Sequence, residues 1–182
     1  MLLERAWLKK NQKAIPHFSH VVQNIKDTEG VEITMNCNAD AFLWILELVK
    51  FRTQYYRDFG SKEDRKKYGK LADGEVAAVL RERFQVLTKH NCLNKLVTAH
   101  FLQISWIYER IWSEFFRERF HEVINACKIS LSNLNSDIVT QIAKRVSDEQ
   151  LEALKERRDK FLSNLYRARI EQKLLSNCQS KK

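Results

Sequence analysis

The stretch Leu93-Asn94-Lys95-Leu96-Val97-Thr98-Ala99-His100-Phe101-Leu102-Gln103 decides the class of fold. Leu93, Leu96, Val97 and Phe101 recur at the spacing that lines one face of an α-helix. The pattern resumes from Trp106 to Arg119 with Ile107, Ile111, Trp112, Phe115 and Phe116. Working outward, helices are predicted from Leu2 to about Gln12 and from Pro16 to Ile25, since a proline suits the first turn of a helix. Another follows Asn38, a residue able to cap it, and carries Phe42, Leu43, Ile45, Leu46 and Val49 around much of its surface. Glu75–Thr88 repeats the period with Val76, Val79, Leu80, Phe84 and Leu87. Ser136 or Asp137 caps a helix through Ile138, Ile142 and Val146. Ser147-Asp148-Glu149-Gln150 opens like a capping box, and a long helix is expected over about Asp148–Ser176. Along it Leu151, Leu154, Phe161, Leu165, Ile170 and Leu174 make a broken apolar stripe.

One segment breaks the helical period. Val31-Glu32-Ile33-Thr34-Met35-Asn36-Cys37 alternates, follows the turn Asp27-Thr28-Glu29-Gly30, and places Val31, Ile33, Met35 and Cys37 on one face. That is a strand. Its backbone groups need partners, from another segment or from a second chain. Phe42, Trp44, Leu46, Leu96, Phe101 and Ile111 are the expected core.

Composition agrees with a mostly α protein. Among 182 residues there are four glycines and one proline, too few for the many turns of an all-β fold. A 44% hydrophobic content with ten Phe and four Trp supports a packed core, which rules out wholesale disorder. The net charge of +9 is unevenly spread. Residues 50–89 and 141–182 each carry eleven Lys and Arg against six Asp and Glu, while the other segments are near balance. Such segments attract nucleic acid, an acidic partner or an anionic surface, although a solvated mixed-charge helix has the same composition. Residues from Arg52 to Gly74 read as a polar, basic insertion interrupted by Gly60, Gly69 and Gly74. Charged residues interrupt any signal-like run near the start, and no apolar stretch is long enough to cross a bilayer. The four cysteines form no CxxC pair. The chain reads as soluble and intracellular, with nuclear, cytoplasmic and ciliary compartments equally open.

Signatures of chemistry are missing: no phosphate-binding glycine loop, no GxSxG, no HExxH and no dinucleotide fingerprint. No catalytic residue, metal ligand or cofactor is assigned. His90, Cys92 and His100 with the distant Cys37 do not make the two close pairs that zinc prefers, and a core histidine better explains His100. His17 and His20 flank Phe18 at helical spacing and read as partly exposed helix positions. The aromatic cluster Trp106, Tyr108, Trp112, Phe115, Phe116 and Phe120 suits a core or interface better than a base-stacking platform, which needs an exposed sheet with interleaved basic residues.

Leu96–Ile104 followed by Ile107 and Ile111 resembles the penultimate helix pair of the BTB/POZ domain family, where a small residue before a hydrophobic-Leu-Gln-hydrophobic step marks a bend. Val31–Cys37 leading into Ala41–Lys50 is similar to that family's strand and following helix. Cys37, Asn38, Phe42, Trp44 and Ile45 match most closely the members that also carry a SANT domain. Ile138–Lys144, Leu154–Phe161 and Leu165–Glu171 extend that likeness, which covers about 110 residues within Phe18–Val49 and Asn91–Gln172. Three departures stand out. The chain reads as helical from its start, where the family has a β-hairpin; the link over residues 51–91 is long; and there is no room for a SANT domain.

The resemblance implies an α+β, mostly α fold: a BTB/POZ-like helical cluster with a reduced sheet over residues 1–120, with the basic insertion at about 52–90. A helical extension over 121–176 and a disordered tail over 177–182 follow. It also implies a non-enzymatic protein-interaction module, an adaptor or homodimer, with no cofactor, small-molecule substrate or membrane. Val31, Ile33, Met35, Phe18 and Val22 are the candidate docking or dimer surface. Lys66, Lys67, Arg157, Arg158 and Lys160 are the candidates for gripping an acidic partner. A structural subunit of a large assembly, such as a ciliary or ribonucleoprotein complex, and nucleic-acid binding through the basic segments are the alternatives.

Overall fold

The computed structural model describes residues 2–12, 15–18, 32–34, 37–58, 78–127, 131, 134–154 and 159–179. These are mostly helical. Strand β1 (Leu2–Glu4) leads into helix α1 (Arg5–Asn11), and strand β2 (Glu32–Thr34) precedes α2 (Ala39–Asp58). Helices α3 (residues 78–84), α4 (Cys92–Phe101) and α5 (Ser105–Ile111) follow. A π-helical turn at Trp112–Phe116 leads to α6 (Phe120–Ala126). Helices α7 (Ser136–Arg145), α8 (Asp148–Glu152) and α9 (Lys160–Gln179) complete the order. The buried side chains form one cluster that runs from Leu8 to Ala168.

The expected helix from Leu2 is corrected at its first turn. β1 pairs antiparallel with β2, setting Leu2 against Thr34, Leu3 against Ile33 and Glu4 against Glu32. The strand's need for backbone partners is therefore met within the chain by residues whose own helical period was weak. Only 32–34 of the expected strand Val31–Cys37 is β among the described residues, and Cys37 is a bend. Of the expected helix Pro16–Ile25, residues 16–18 are helical and the rest lies outside the described residues.

Asn38 caps α2 as expected: its Oδ1 accepts the Ala41 N–H at 2.9 Å. Ala41, Phe42, Ile45, Leu46, Leu48 and Val49 are buried, while Leu43 faces outward. The helix runs on to Asp58, past the point where the basic insertion was expected to begin. Stacking of cations on rings explains the extension. The Arg52 guanidinium lies 4.6 Å from the Trp106 ring centroid, and Arg83 from α3 lies 5.4 Å from that of Phe51. Downstream, Leu80, Phe84 and Leu87 are buried, with Phe84 edge-on to Trp44 at 5.2 Å. Asn91 closes this loop by accepting the Thr88 N–H and donating to the Val86 carbonyl, both at 2.9 Å. Part of the supposed insertion is thus core.

The bend after α4 falls at the Leu-Gln step. Gln103 takes φ 58°, the left-handed region that glycine adopts without steric cost. The Ile104 N–H reaches back to the Ala99 carbonyl and the Gln103 N–H to the His100 carbonyl, both at 3.0 Å. This is the Schellman arrangement, with glutamine where glycine is usual. Gln103→Gly is expected to stabilise the fold by about 0.5–1 kcal/mol in urea denaturation, because it removes the Cβ penalty of the left-handed conformation. A loss of stability would mean that the glutamine side chain contributes more than its backbone costs.

Past α5 the expected continuous helix to Arg119 is interrupted. The Arg117 N–H bonds to the Trp112 carbonyl at 2.9 Å, a wider turn than the α-helical one. Trp112, Phe116 and Phe120 pack in sequence, the first pair tilted and the second edge-to-face, with centroids 5.0 and 5.6 Å apart. The α7 cap sits one residue earlier than expected: Asn135 Oδ1 accepts the Asp137 N–H at 2.8 Å. The capping box at Ser147 and Gln150 is present as expected. The single long helix expected after it is two helices. Asp159 Oδ1 accepts the Leu162 N–H at 2.9 Å and starts a new helix, so the apolar stripe is divided. α9 continues to Gln179, three residues into the expected tail.

Candidate interaction surfaces

The bend at Gln103 and the start of α7 enclose a cleft of about 850 Å³. Its wall mixes amides and a hydroxyl (Asn38, Asn94, Thr98, Gln103, Asn135) with Val97, Phe101, Leu134 and Ile138. The His17 ring packs tilted against that of Phe101, centroids 4.4 Å apart, and both line the cleft, with Phe101 half-buried. Four of the six expected core residues (Phe42, Leu46, Leu96 and Ile111) are buried, whereas Trp44 and Phe101 pack against the core from its rim. A smaller cavity of about 280 Å³ shares His100 and Gln103 with the cleft and adds Ser105, Tyr108, Gln141 and Arg145. Burial pushes the His100 imidazole below the usual histidine range, opposed by Asp137, and raises the Tyr108 phenol. The Tyr108 hydroxyl is buried and has no hydrogen-bond partner among the described residues.

Cys92 and Lys95 belong to the core, and Cys37 packs against it. Burial raises the Cys92 thiol to about 12, which suppresses its thiolate, and Cys37 is raised by the same cause. Lys95 on α4 is buried with its ammonium 4.6 Å from the Trp44 ring centroid, and burial lowers its basicity. Among the described residues there is no group of three or more His, Cys, Asp or Glu placed to hold a metal ion.

Arg145 ties α7 to α5 and the π-helical turn. It donates to both Glu109 carboxylate oxygens at 2.5 and 2.6 Å and lies over the rings of Tyr108 and Trp112, 5.1 and 5.5 Å from their centroids. The paired hydrogen bonds hold Glu109 below the usual carboxylate range and raise Arg145. The last turn of α7 is thereby fixed to α5 by a planar fork that lysine does not reproduce.

Helix α9 packs on α7 through one face only. Phe161, Leu165 and Ala168 are buried. Around them Tyr166 donates to the Leu151 carbonyl, Arg169 to that of Ala143 and Gln172 to that of Thr140, each at 3.3 Å. Asp148 pairs with Arg169 at 3.5 Å and with Lys173 at 2.7 Å, and these contacts depress its carboxyl. The opposite face carries Ile170 and Leu174, which are 55% and 61% exposed; Leu175, seven positions after Ala168, falls on the packed side and is 65% exposed. Ile170 and Leu174, expected on the inward stripe, point to solvent, because five residues from Leu165 to Ile170 turn the helix well away from its buried side.

Of the candidate docking residues, Phe18 is fully buried and its ring packs 6.4 Å from that of Phe42, so it belongs to the core and not to a surface. Ile33 lies in β2, opposite Leu3. Val22, Val31 and Met35 lie outside the described residues, as do Lys66, Lys67, Arg157 and Arg158. Lys160 is exposed at the first position of α9. Arg167 was missed, because the sequence sets Ile170 and Leu174 on the inward stripe; in the structure it shares the exposed face of α9 with Lys160, Ser163, Ile170 and Leu174, at spacings of three and four.

No protein-family model matches the chain, and no solved structure matches it. No helix among the described residues is long and apolar enough to cross a membrane.

Proposed function

We propose that this chain is a non-enzymatic protein–protein interaction module of BTB/POZ-like type, docking through the outer face of its C-terminal helix. The observation that carries the reading is the exposure of Ile170 and Leu174 on a helix whose other face is held by packing, hydrogen bonds and ion pairs. A helix anchored on one side presents its free side as a rigid surface, so little ordering entropy opposes association. Large apolar side chains clustered on such a surface mark interaction sites more often than single exposed residues do. Support for the family part of the reading is the Leu96–Ile104 pattern with its bend and the small β component beside a helical cluster.

The test compares the wild-type chain with an Ile170→Glu/Leu174→Glu double variant as baits in native extract. Proteins retained by the first and lost from the second, at unchanged circular dichroism and unfolding midpoint, are expected. Surface changes of this kind leave stability within about 0.5 kcal/mol. Identical retention by both baits would remove α9 as the docking surface and this reading with it.

A further inference from the structure

We infer that the occupant of the α9 outer face is an acidic amphipathic helix from another protein, an inference that rests on the interaction-module reading above. Lys160, Ser163, Arg167, Ile170 and Leu174 are all exposed and alternate at spacings of three and four, the geometry of a helix–helix seam. The seam has two parts: a cationic half at Lys160 and Arg167 and an apolar half at Ile170 and Leu174. Neither cation has an ion-pair partner among the described residues, whereas Arg169 and Lys173 on the flank are occupied by Asp148. Lys160 also stands in the first turn of α9, beside the Asp159 cap, whose carboxylate is turned back to the Leu162 N–H. Carboxylates brought by a partner answer both charges at once.

A second copy of this chain does not. Side by side in parallel, two such seams oppose Arg167 to Arg167 and Lys160 to Lys160. Antiparallel, they set the cationic half of each against Ile170 and Leu174 of the other, desolvating charge without pairing it. A helix with leucines on one half of its seam and glutamates on the other sets its leucines on Ile170 and Leu174 and its glutamates on Lys160 and Arg167, parallel or antiparallel according to which half comes first.

The experiment uses the full chain and two fluorescein-labelled synthetic amphipathic peptides, identical except that one has glutamate and the other lysine at the charged seam positions. Binding of the glutamate peptide, weakening as salt is raised, is expected in fluorescence anisotropy. A Lys160→Glu/Arg167→Glu variant is expected to lose about tenfold or more in affinity for it and to gain the lysine peptide. Equal affinity for both peptides, no binding of the glutamate peptide, or indifference to the charge reversal would overturn the inference. So would a wild-type dimer in sedimentation that Ile170→Glu/Leu174→Glu dissociates, since a second copy would then hold the seam. Any of these can occur while the extract experiment still finds a partner lost with Ile170 and Leu174, so failure of the acidic-helix assignment is distinct from failure of the module.

Discussion

Phe116→Ala is expected to cost about 3–5 kcal/mol of folding free energy, read as a lowered midpoint in urea or guanidinium denaturation. Phe116 is fully buried at the end of the π-helical turn. Truncation removes its transfer energy and leaves a cavity beside the Trp112 and Phe120 rings that pack against it. Loss of the two ring contacts adds to the effect. For a chain of this size the change is a large part of total stability, so the variant is also expected to express poorly. Phe101→Ala provides the contrast. Its ring is half-buried on the cleft wall, and its removal is expected to cost well under half as much. A loss under about 1 kcal/mol at Phe116 would mean that the wide turn does not aim this ring into the core.

Arg145→Ala carries the second large effect, about 2 kcal/mol. The ion pair with Glu109 contributes modestly by itself, because Glu109 is 54% exposed and water screens it. Most of the effect comes from the guanidinium lying over Tyr108 and Trp112 and from the aliphatic stem it packs there. Arg145→Lys restores the charge but neither the fork nor the flat stacking surface, and is expected to recover less than half of the loss. If lysine recovered it fully, simple charge attraction would be the main term. A double-mutant cycle with Glu109→Gln isolates the pair itself and is expected to give about 1 kcal/mol or less.

Particular elements show where reading the chain succeeds and where it stops. The Asn38 cap and the Ser147–Gln150 capping box were legible because each depends on residues within a few positions of one another, whereas the bend at the Leu-Gln step was indicated only by the family resemblance. The break of the tail into α8 and α9 was also encoded locally, in Asp159. That residue fits a helix interior as an exposed position equally well, so the cap shows only once its side chain is seen to turn back to the Leu162 N–H. The strand pairing was not legible: three residues at the start and three residues of β2 meet across a long separation, and neither run is long enough to declare its partner. The extension of α2 into the basic stretch depended on Trp106, far along the chain, offering a ring to Arg52.

The candidate surface divides in the same way. Phe18 looked available for docking because one sequence position cannot say that Phe42 will lie beside it. Ile170 and Leu174 looked like core because hydrophobicity alone does not say which side of a helix has a neighbour. By itself the order of residues determined a mostly α chain with one extended segment, its main caps and a basic tail, since periodicity and capping act over a turn or two of backbone. Only tertiary structure decided which face of the last helix is covered. That depends on where α7 lies and on the few polar bonds to Ala143, Thr140 and Asp148 that fix the helix's rotation about its own axis.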